Sequence, residues 1–358
     1  MVNGAFWRGR RVLVTGHTGF KGGWLSLWLG ALGARTSGLA LAPLADGIFS
    51  ASGLQESMQS VLGDIRDYGL VERTLREAEP EIVFHLAAQP IVRDSYAQPL
   101  ETYATNVMGT AHVLEAVRQV PAVRAVVVVT TDKCYENQDW AWGYRENDRL
   151  GGADPYSSSK ACAELVAAAY RKSYYGGNAK SPAIALATAR AGNVIGGGDW
   201  CKDRLIPDLV RSASAGRVPE IRNPTAVRPW QYVLEPLRGY LKLAEELAGT
   251  RGPDFSDAWN FGPSDADAKP VEWVVQRFLA HLRAGANWAR QPGDHPHEAR
   301  WLKLDSSKSA SLLGWRPALG LDEALQSTAE WYRRAGSGED MRRFSLDQIS
   351  AYSTKALV

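Results

Sequence analysis

Residues 11–22 have the sequence Arg-Val-Leu-Val-Thr-Gly-His-Thr-Gly-Phe-Lys-Gly, and this stretch decides the fold. Its first part, Arg11–Thr15, is an apolar and partly β-branched run that is typical of a buried strand. Three glycines follow as Gly16, Gly19 and Gly22, and apolar residues then recur at helical spacing up to Leu32. A strand, a glycine-rich turn and a helix in this order predict a loop that holds a phosphate group at the helix N-terminus.

The first half of the chain repeats this alternation of strand and helix. Glu81–Leu86, Ala125–Val129 and Ala183–Arg190 are further strand-like runs, and a helical pattern from Tyr103 to Val117 separates the first two. Strands this apolar are typical of a parallel sheet that is covered on both faces. The sequence therefore predicts an α/β fold with a doubly wound, Rossmann-like parallel sheet.

The pattern changes after Asn193, where glycines cluster, prolines recur and strand alternation fades. The segment Trp259–Gly262 resembles a late strand that returns to the sheet. We therefore predict a dinucleotide-binding domain over 1–193, with a returning strand near 257–263. Residues 194–335 are expected to form mainly a smaller, interleaved substrate-binding domain, and the polar residues 336–358 a C-terminal tail.

Composition excludes several classes of protein. The 358 residues include 41 basic and 39 acidic side chains, so the net charge of +2 gives no reason to expect nucleic acid or a membrane surface as partner. No run reaches the roughly 20 apolar residues that span a bilayer. Three cysteines without a CxxC pair argue against a disulfide scaffold and favour a reducing, cytoplasmic setting. The segment His295–Glu298 offers too few ligands for a metal, so a substrate-facing loop is the better interpretation.

Tyr156 and Lys160 form a YxxxK motif. Residues four apart on a helix share a face, so the phenol and the ammonium can bracket one point. A phenol with a pKa of about 10 is a poor base at neutral pH. A neighbouring lysine and a cationic cofactor ring would lower this pKa, so that the phenolate could take a proton from a sugar hydroxyl.

A second candidate catalytic group follows the strand Ala125–Val129. Thr131, Asp132 and Lys133 come directly after this strand, and active residues of doubly wound sheets gather at the carboxyl ends of strands. A hydroxyl, an acid and a lysine at this position predict more chemistry than a simple alcohol oxidation needs.

The ordered motifs resemble the extended short-chain dehydrogenase/reductase superfamily, and within it the nucleotide-sugar 4,6-dehydratases. The Thr-Asp-Glu triplet of those enzymes has lysine in third place here. The segments that resemble the CDP-glucose 4,6-dehydratase subfamily more closely are residues 16–22, 87–90, 142–147, 196–200 and 228–236. The resemblance extends from Phe6 to about Trp331.

This resemblance implies that CDP-D-glucose is converted to CDP-4-dehydro-6-deoxy-D-glucose and water on a recycled NAD. It implies that Tyr156 removes the O4 proton, that Thr131 holds O4, that Lys160 orients the cofactor ribose and that Asp132 protonates the departing O6. Lys133 stands where relatives have their C5 base. It either acts as that base in its neutral form or stays charged and stabilises the enolate, and the sequence leaves both roles open.

The resemblance also implies the binding residues. The implied cofactor contacts are Gly16, Thr18, Gly19, Phe20, Lys21, Gly22, Asp64, Ile65, Leu86, Ala87, Ala88, Gln89, Tyr156 and Lys160. The implied contacts to the nucleotide sugar are Asn193, Arg204, Leu205 and Arg228. The end of the second strand, residues 36–43, has no acid for the adenosine ribose, and Asp46 lies further on. The residues thus leave NAD and NADP open, while the resemblance implies NAD.

The resemblance further implies a homodimer in which the helix at about 102–118 and the YxxxK helix form a four-helix bundle with a second subunit. It also implies a place in deoxysugar biosynthesis, such as that of lipopolysaccharide O-antigen.

Two alternative functions remain at this point. A nucleotide-sugar C4 epimerase would share Thr131, Tyr156 and Lys160 but would not need Asp132 to expel water. A non-catalytic NAD-binding scaffold would share the fold without needing the Tyr–Lys pair. The presence of the acid directly after Thr131 favours the dehydratase.

Overall fold

A computed structural model describes residues 2–175, 184–285, 287–292 and 301–357. The strands are β1 (Arg11–Thr15), β2 (Arg35–Ala40), β3 (Gln59–Leu62), β4 (Ile82–His85), β5 (Ala125–Val129), β6 (Ala185–Ala191), β7 (Asn193–Ile195), β8 (Glu220–Ile221), β9 (Val227–Tyr232), β10 (Ala258–Phe261), β11 (Ala268–Pro270) and β12 (Ala289–Arg290). Seven of them form a parallel sheet in the order β10-β6-β5-β4-β1-β2-β3. The predicted doubly wound parallel sheet is confirmed.

Helices cover both faces of this sheet. They are α1 (Gly4–Trp7), α2 (Phe20–Ala31), α3 (Ile48–Ala51), α4 (Tyr68–Ala78), α5 (Val92–Ala97), α6 (Pro99–Tyr103), α7 (Gly109–Val117), α8 (Pro155–Ser173), α9 (Leu205–Ser214), α10 (Leu234–Leu247), α11 (Gly252–Phe255), α12 (Val271–Leu282), α13 (Ser307–Leu312), α14 (Leu321–Gly336) and α15 (Met341–Lys355). Three short 3-10 turns, Leu54–Glu56, Asp132–Cys134 and Asp265–Asp267, and a π-helical turn, Ala104–Met108, complete the elements.

Alternate side chains of the strands face two separate cores, as the period of two along a strand requires. On β1, Val12 and Val14 belong to one core, with α2 and α10, whereas Leu13 belongs to the other, with α4, α7 and part of α8. The central strands β1, β4 and β5 are buried on both faces, which explains why they appear in the sequence as continuous apolar runs.

The strand order creates the crevice in which a ligand can bind. The chain leaves β1 towards β2 and β3 on one side, and towards β4, β5 and β6 on the other. Ligands of doubly wound sheets bind where the strand order reverses, outside the carboxyl ends of the strands. The structure places this crevice next to the glycine loop that follows β1.

The chain after β6 returns to the sheet, as expected, since β10 pairs with β6 in parallel register. Between them in the chain lies α10, which packs on β5 and β6, while β7 and β9 form a small separate sheet with β11, which follows β10. The boundary of the sequence-predicted strand at Ala183 lies outside the described residues.

The end of the chain differs from a loose polar tail. Residues 341–355 form α15, whose Met341, Ile349 and Tyr352 are buried. The Tyr352 hydroxyl donates to Glu235 at 2.6 Å and accepts from Arg238 at 2.9 Å. The three buried apolar residues, Met341, Ile349 and Tyr352, are separated by eight and three positions on a largely polar helix. Composition alone therefore suggested a tail.

Among the described helices, none combines the length and the apolar composition of a membrane span. Likewise, the described residues contain no cluster of three or more His, Cys, Asp or Glu side chains that could hold a metal ion. The segment His295–Glu298 lies outside the described residues.

We predict that Gly197→Ala destabilises the fold. A Cβ at Gly197 would lie 2.0 Å from Cγ of the buried Trp331, so the indole would have to shift. Such overpacking costs about 1–3 kcal/mol of the free energy of unfolding, which urea denaturation measures.

Gly30→Ala is the matched control. This glycine is exposed near the end of α2 and a Cβ there meets no atom within 4 Å. Alanine should raise the free energy of unfolding by about 0.5–1 kcal/mol. Equal stability of the Gly197→Ala protein and the wild type would contradict the packing described for this position.

Candidate active site

A cavity of about 910 Å³ opens at the carboxyl ends of the central strands. The predicted site residues that line it are Phe20, Lys21, Leu86, Ala88, Thr131, Asp132, Lys133, Tyr156, Lys160, Asn193, Arg204, Leu205 and Arg228. The other predicted site residues lie outside its lining; these are Gly16, Thr18, Gly19, Gly22, Asp64, Ile65, Ala87 and Gln89. The structure therefore brings the candidate catalytic and substrate residues into one space and leaves most of the cofactor residues beside it.

The glycine loop between β1 and α2 leaves no room for a side chain at Gly16 or Gly22. Gly16 has φ +76°, and a Cβ there would lie 2.7 Å from the Ala87 nitrogen. A Cβ at Gly22 would lie 2.0 Å from the Gly16 carbonyl oxygen. The N-cap of α2 is Gly19, which has no side chain to satisfy the first N–H groups of the helix. These groups are thus available to an anion such as a pyrophosphate.

The segment after β4 is held by partly buried hydrogen bonds that the sequence analysis missed. The amide nitrogens of Leu86 and Ala87 both donate to Thr15 Oγ1 at 3.2 Å. Gln89 is fixed by Asn106, whose Oδ1 accepts from the Gln89 nitrogen at 2.8 Å and whose Nδ2 donates to its carbonyl at 3.0 Å. Asn106 lies in the π-helical turn Ala104–Met108, a feature that often marks functional sites. A lone asparagine inside an otherwise helical apolar pattern was the available signal.

The carboxyl ends of β2 and β3 form the region expected for the adenosine of a cofactor. Asp64 follows β3, and Arg66 lowers the pKa of its carboxyl group by donating to it at 2.6 Å and 2.8 Å. Asp46 lies in the exposed turn between β2 and α3. Ile65 packs against α7, since a Cβ at Gly109 would lie 2.5 Å from its Cδ1.

The turn that follows β5 presents the candidate acid. Thr131 Oγ1 donates to Asp132 Oδ1 at 3.0 Å and accepts from the Lys133 nitrogen at 3.3 Å. The other carboxylate oxygen, Asp132 Oδ2, is buried and has no hydrogen-bond partner among the described residues. A buried polar atom without a partner is rare, and beside a cavity it is open to a ligand atom.

Tyr156 and Lys160 lie in the first turns of α8, where the Asp154 side chain caps the helix by accepting from the Ser157 nitrogen at 2.9 Å. Burial raises the pKa of Tyr156 to about 12, although a hydrogen bond with the Thr131 hydroxyl opposes this. Lys160 Nζ donates to the Val129 carbonyl at 3.1 Å, and burial lowers the pKa of Lys160 to about 8. In the ligand-free chain the phenol is therefore protonated, and a bound cation is needed to make it a base.

Further cationic side chains, Lys21 and Arg204, line the same cavity. Burial lowers the pKa of Lys21 to about 7, and the nearby charges of Arg204 and Lys160 lower it further. Arg204 pairs with Asp199 at 2.9 Å, and the Asp199 side chain is buried. A cluster of cations at a cavity attracts an anionic ligand such as a diphosphate.

The predicted diphosphate contacts lie on the small sheet. Asn193 opens β7, and Arg228 lies on the neighbouring β9, where it is buried and donates to the Val227 carbonyl at 2.9 Å. The pairing of β7 with β9 brings both residues to the same side of the cavity.

The comparisons with known proteins agree with this geometry. Residues 13–251 match the family model described as GDP-mannose 4,6 dehydratase. The chain is 53% identical over 354 residues to a CDP-glucose 4,6-dehydratase of Salmonella typhimurium, which covers 98% of each protein. It is 28% identical to a dTDP-glucose 4,6-dehydratase of Xanthomonas campestris over 89% of this chain and 92% of that protein.

A solved structure supports the same assignment. DesIV, a dTDP-glucose 4,6-dehydratase from Streptomyces venezuelae crystallised with NAD, superimposes with a TM-score of 0.77 at 27% identity, over 90% of this chain and 97% of that one. The family match spans more than half of the described fold, and the Salmonella relative is similar over nearly the whole length. The chain therefore belongs to the GDP-mannose 4,6-dehydratase family, a family of nucleotide-sugar dehydratases within the extended short-chain dehydrogenase/reductases.

Proposed function

We propose that this chain is a CDP-glucose 4,6-dehydratase, which converts CDP-D-glucose to CDP-4-dehydro-6-deoxy-D-glucose and water. The observation that supports this most directly is the unpaired Oδ2 of Asp132, buried beside Thr131 and Tyr156 in one cavity. An epimerase needs a hydroxyl group and a base at this place but no acid to expel water. The choice of CDP-glucose follows the relative that is 53% identical over 98% of the chain.

The residues fit NAD as the cofactor. The glycine loop and the first turn of α2 would hold the pyrophosphate, and Lys160 would bind the ribose beside the nicotinamide. When bound, NAD supplies the acceptor for the C4 hydride of the sugar and the donor of that hydride to C6. Its positive charge would also lower the pKa of Tyr156, which burial alone holds at about 12.

Oxidation at C4 requires that the O4 proton leaves. Thr131 and Tyr156 line the same cavity, so a sugar O4 placed between their hydroxyl groups would be oriented by one and deprotonated by the other. The ketone that forms at C4 acidifies the hydrogen at C5, which prepares the elimination.

Loss of water across C5 and C6 requires a proton at O6. Asp132 Oδ1 accepts from Thr131, so the proton of the neutral acid belongs on Oδ2, the oxygen without a protein partner. We assign the protonation of O6 to this atom.

Lys133 stands next to the acid and lines the cavity. Its backbone is fixed by the Thr131 hydroxyl, so its side chain starts from a defined position. The side chain either removes the C5 proton in its neutral form or stays charged and stabilises the enolate oxygen at C4. We place the nucleotide end of the substrate against Asn193, Arg204, Leu205 and Arg228, where two guanidinium groups can pair with the diphosphate.

A homodimer is a further part of the proposal. Helices α6 and α7 pack against α8, and large apolar side chains of α6, α8 and the π-helical turn between α6 and α7 are exposed. Leu100 is 84% exposed, Leu165 59% and Met108 52%. Exposed apolar patches of this kind mark association sites, and a second copy of the same helices would cover them.

We also propose a cytoplasmic location and a role in deoxysugar biosynthesis, such as that of lipopolysaccharide O-antigen. The free thiols of Cys134, Cys162 and Cys201 are consistent with a reducing compartment. A 4-keto-6-deoxy sugar nucleotide is a reactive intermediate that further enzymes of such a route reduce or aminate.

Deuterium at C4 of CDP-glucose tests the function. With NAD present, we expect the product to lose one water and to have the deuterium at C6, as mass spectrometry and NMR would show. Tyr156→Phe should slow this transfer by about 10²–10⁴-fold, because the base is lost. Tyr174→Phe, a partly exposed tyrosine at the end of α8, is the control and should react as the wild type does.

Inversion at C4 without loss of water would instead identify an epimerase. If the protein changed none of a panel of nucleotide sugars, the result would support the non-catalytic alternative.

Substitutions in the catalytic turn separate the acid from the base. Asp132→Asn should oxidise C4 at a rate near that of the wild type but lose water about 10²–10⁴-fold more slowly, so that the CDP-4-keto-glucose intermediate accumulates in rapid-quench samples. In Lys133→Met, loss of hydrogen exchange between C5 and solvent would identify Lys133 as the base. Retained exchange with slower turnover in Lys133→Met would identify Lys133 as the enolate stabiliser. Elimination at the normal rate in Asp132→Asn would show that Asp132 is not the acid.

Charge on the apolar helix face tests the dimer. Leu165→Lys should reduce the mass in light scattering from two chains to one, because a buried lysine without a partner opposes association. Leu312→Lys is the control, since Leu312 is 61% exposed on α13, away from this face. A dimer that survives Leu165→Lys would place the interface elsewhere.

A further inference from the structure

The buried ion pair of Glu164 and Arg190 lies directly behind the site and has no role in the chemistry above. We propose that this pair is a positioning device that holds the catalytic turn, residues 131–135, against the catalytic helix α8. This inference rests on the proposed function, because it assumes that the turn and the helix act on one substrate. Neither residue was singled out by the sequence analysis.

The pair is bidentate and sealed from solvent. Arg190 Nη2 donates to Glu164 Oε2 at 2.8 Å and Arg190 Nε donates to Oε1 at 3.0 Å, and both side chains are 3% exposed. Burying two charges has a large desolvation cost, which is offset only where further hydrogen bonds satisfy both groups. Those further bonds lead to the catalytic turn.

The first connection enters the turn from its N-terminal side. Thr130, which precedes the turn, donates through Oγ1 to Glu164 Oε1 at 2.5 Å. Thr188 on the neighbouring β6 donates to the other oxygen, Oε2, at 2.6 Å. Glu164 therefore ties the residue after β5 and the middle of the adjacent β6 to the middle of α8.

The second connection enters the turn from its C-terminal side. Arg190 Nη1 donates to the Tyr135 hydroxyl at 2.7 Å, and that hydroxyl donates to Asn260 Oδ1 at 2.8 Å. Arg190 Nη1 also donates to the Glu146 carbonyl at 3.0 Å. Because both ends of the turn bond to one ion pair, a movement of the turn relative to α8 would break these hydrogen bonds.

Tyr156, Lys160 and Glu164 follow each other at intervals of four residues and share one face of α8. The titratable groups around Lys160 are Tyr156 and Glu164 on the same helix, Cys134 in the turn, Lys21 on α2 and His85 on β4. Burial raises the pKa values of Tyr156 and Cys134 and lowers that of His85 to about 3, so these three are neutral near pH 7.

Two carboxyl groups act on this set: Glu164, whose charge acts on Lys160, and Asp132 in the turn, whose charge acts on Tyr156 and Lys21. The effect of Glu164 on Lys160 is the one that concerns the pair. The charge of Glu164 opposes the burial that lowers the pKa of Lys160 to about 8. Removing the charge lowers this pKa further, so Lys160 loses its proton at a lower pH. The pair therefore acts on the reaction both through position and through charge, and two variants can separate these effects.

Glu164→Gln removes the charge, and Thr130→Val removes only the connection to the turn. In Glu164→Gln we expect kcat with CDP-glucose to fall about tenfold or more with KM nearly unchanged, because misplaced groups slow the chemistry and not the binding. We also expect the alkaline limb of the pH–kcat profile to move to lower pH. In Thr130→Val we expect a similar fall in kcat with the alkaline limb at its wild-type pH, since the carboxylate remains.

Glu235→Gln is the matched control. Glu235 is also fully buried, lies 3.7 Å from Arg238, and accepts from the nitrogens of Ala318 and Leu319 and from the Tyr352 hydroxyl. It should lose stability as Glu164→Gln does but keep the wild-type kcat and pH profile. An equal fall of kcat in both glutamine variants would overturn the proposal, because general destabilisation would then explain it.

Amide hydrogen exchange of residues 131–135 provides a measurement that needs no substrate. Exchange there should be faster in Glu164→Gln and Thr130→Val than in the wild type, and unchanged in Glu235→Gln. Wild-type exchange and wild-type kcat in folded Thr130→Val would overturn the proposal even if Glu164→Gln failed to fold. If the wild type left CDP-glucose unchanged, the proposed function would fail, while the exchange would still decide whether the pair holds the turn.

Discussion

The close approach of the glycine loop to the end of β4 is the constraint on which the site depends. The peptide of Gly16 lies where any Cβ would collide with Ala87, and Gly22 lies where a Cβ would collide with Gly16 itself. Because the backbones touch here, β1 and β4 end side by side at the point where the strand order reverses. The N-terminus of α2 and the ends of β4 and β5 therefore surround one cavity, and every group assigned a role in catalysis projects into it.

In the ligand-free site, burial shifts the pKa values of Tyr156, Lys160 and Lys21 towards their neutral forms. Burial raises the pKa of Tyr156 to about 12 and lowers the pKa of Lys160 to about 8 and of Lys21 to about 7. Each shift disfavours the charged form, as expected for groups removed from water. The ligands supply the opposite charges, since a cationic ring favours the phenolate and a diphosphate favours the ammonium groups. Bound substrate and cofactor thus supply the charges that stabilise the ionised forms of these buried groups.

Much of the fold could be predicted from local patterns. The strands over 11–15 and 125–129 have the expected bounds, because continuous apolar runs have one stable placement in a parallel sheet. The long helix expected from Tyr103 begins at Pro99 and is interrupted by the π-helical turn, since Asn106 bonds to the segment after β4. The polar end of the chain forms α15, whose apolar stripe was too narrow to stand out in composition.

The sequence by itself determined the glycine loop, the Tyr156–Lys160 pair and the Thr131–Lys133 triplet, because each depends on residues that are neighbours along the chain. Only the tertiary structure decided which distant polar groups support them. Glu164 meets Thr130 and Arg190 across intervals of 34 and 26 residues. A single charged residue in an apolar strand, as Arg190 is, gives no sign of its partner. A buried charge has to be paired and hydrogen-bonded, and the groups that do this come into contact only when the chain folds.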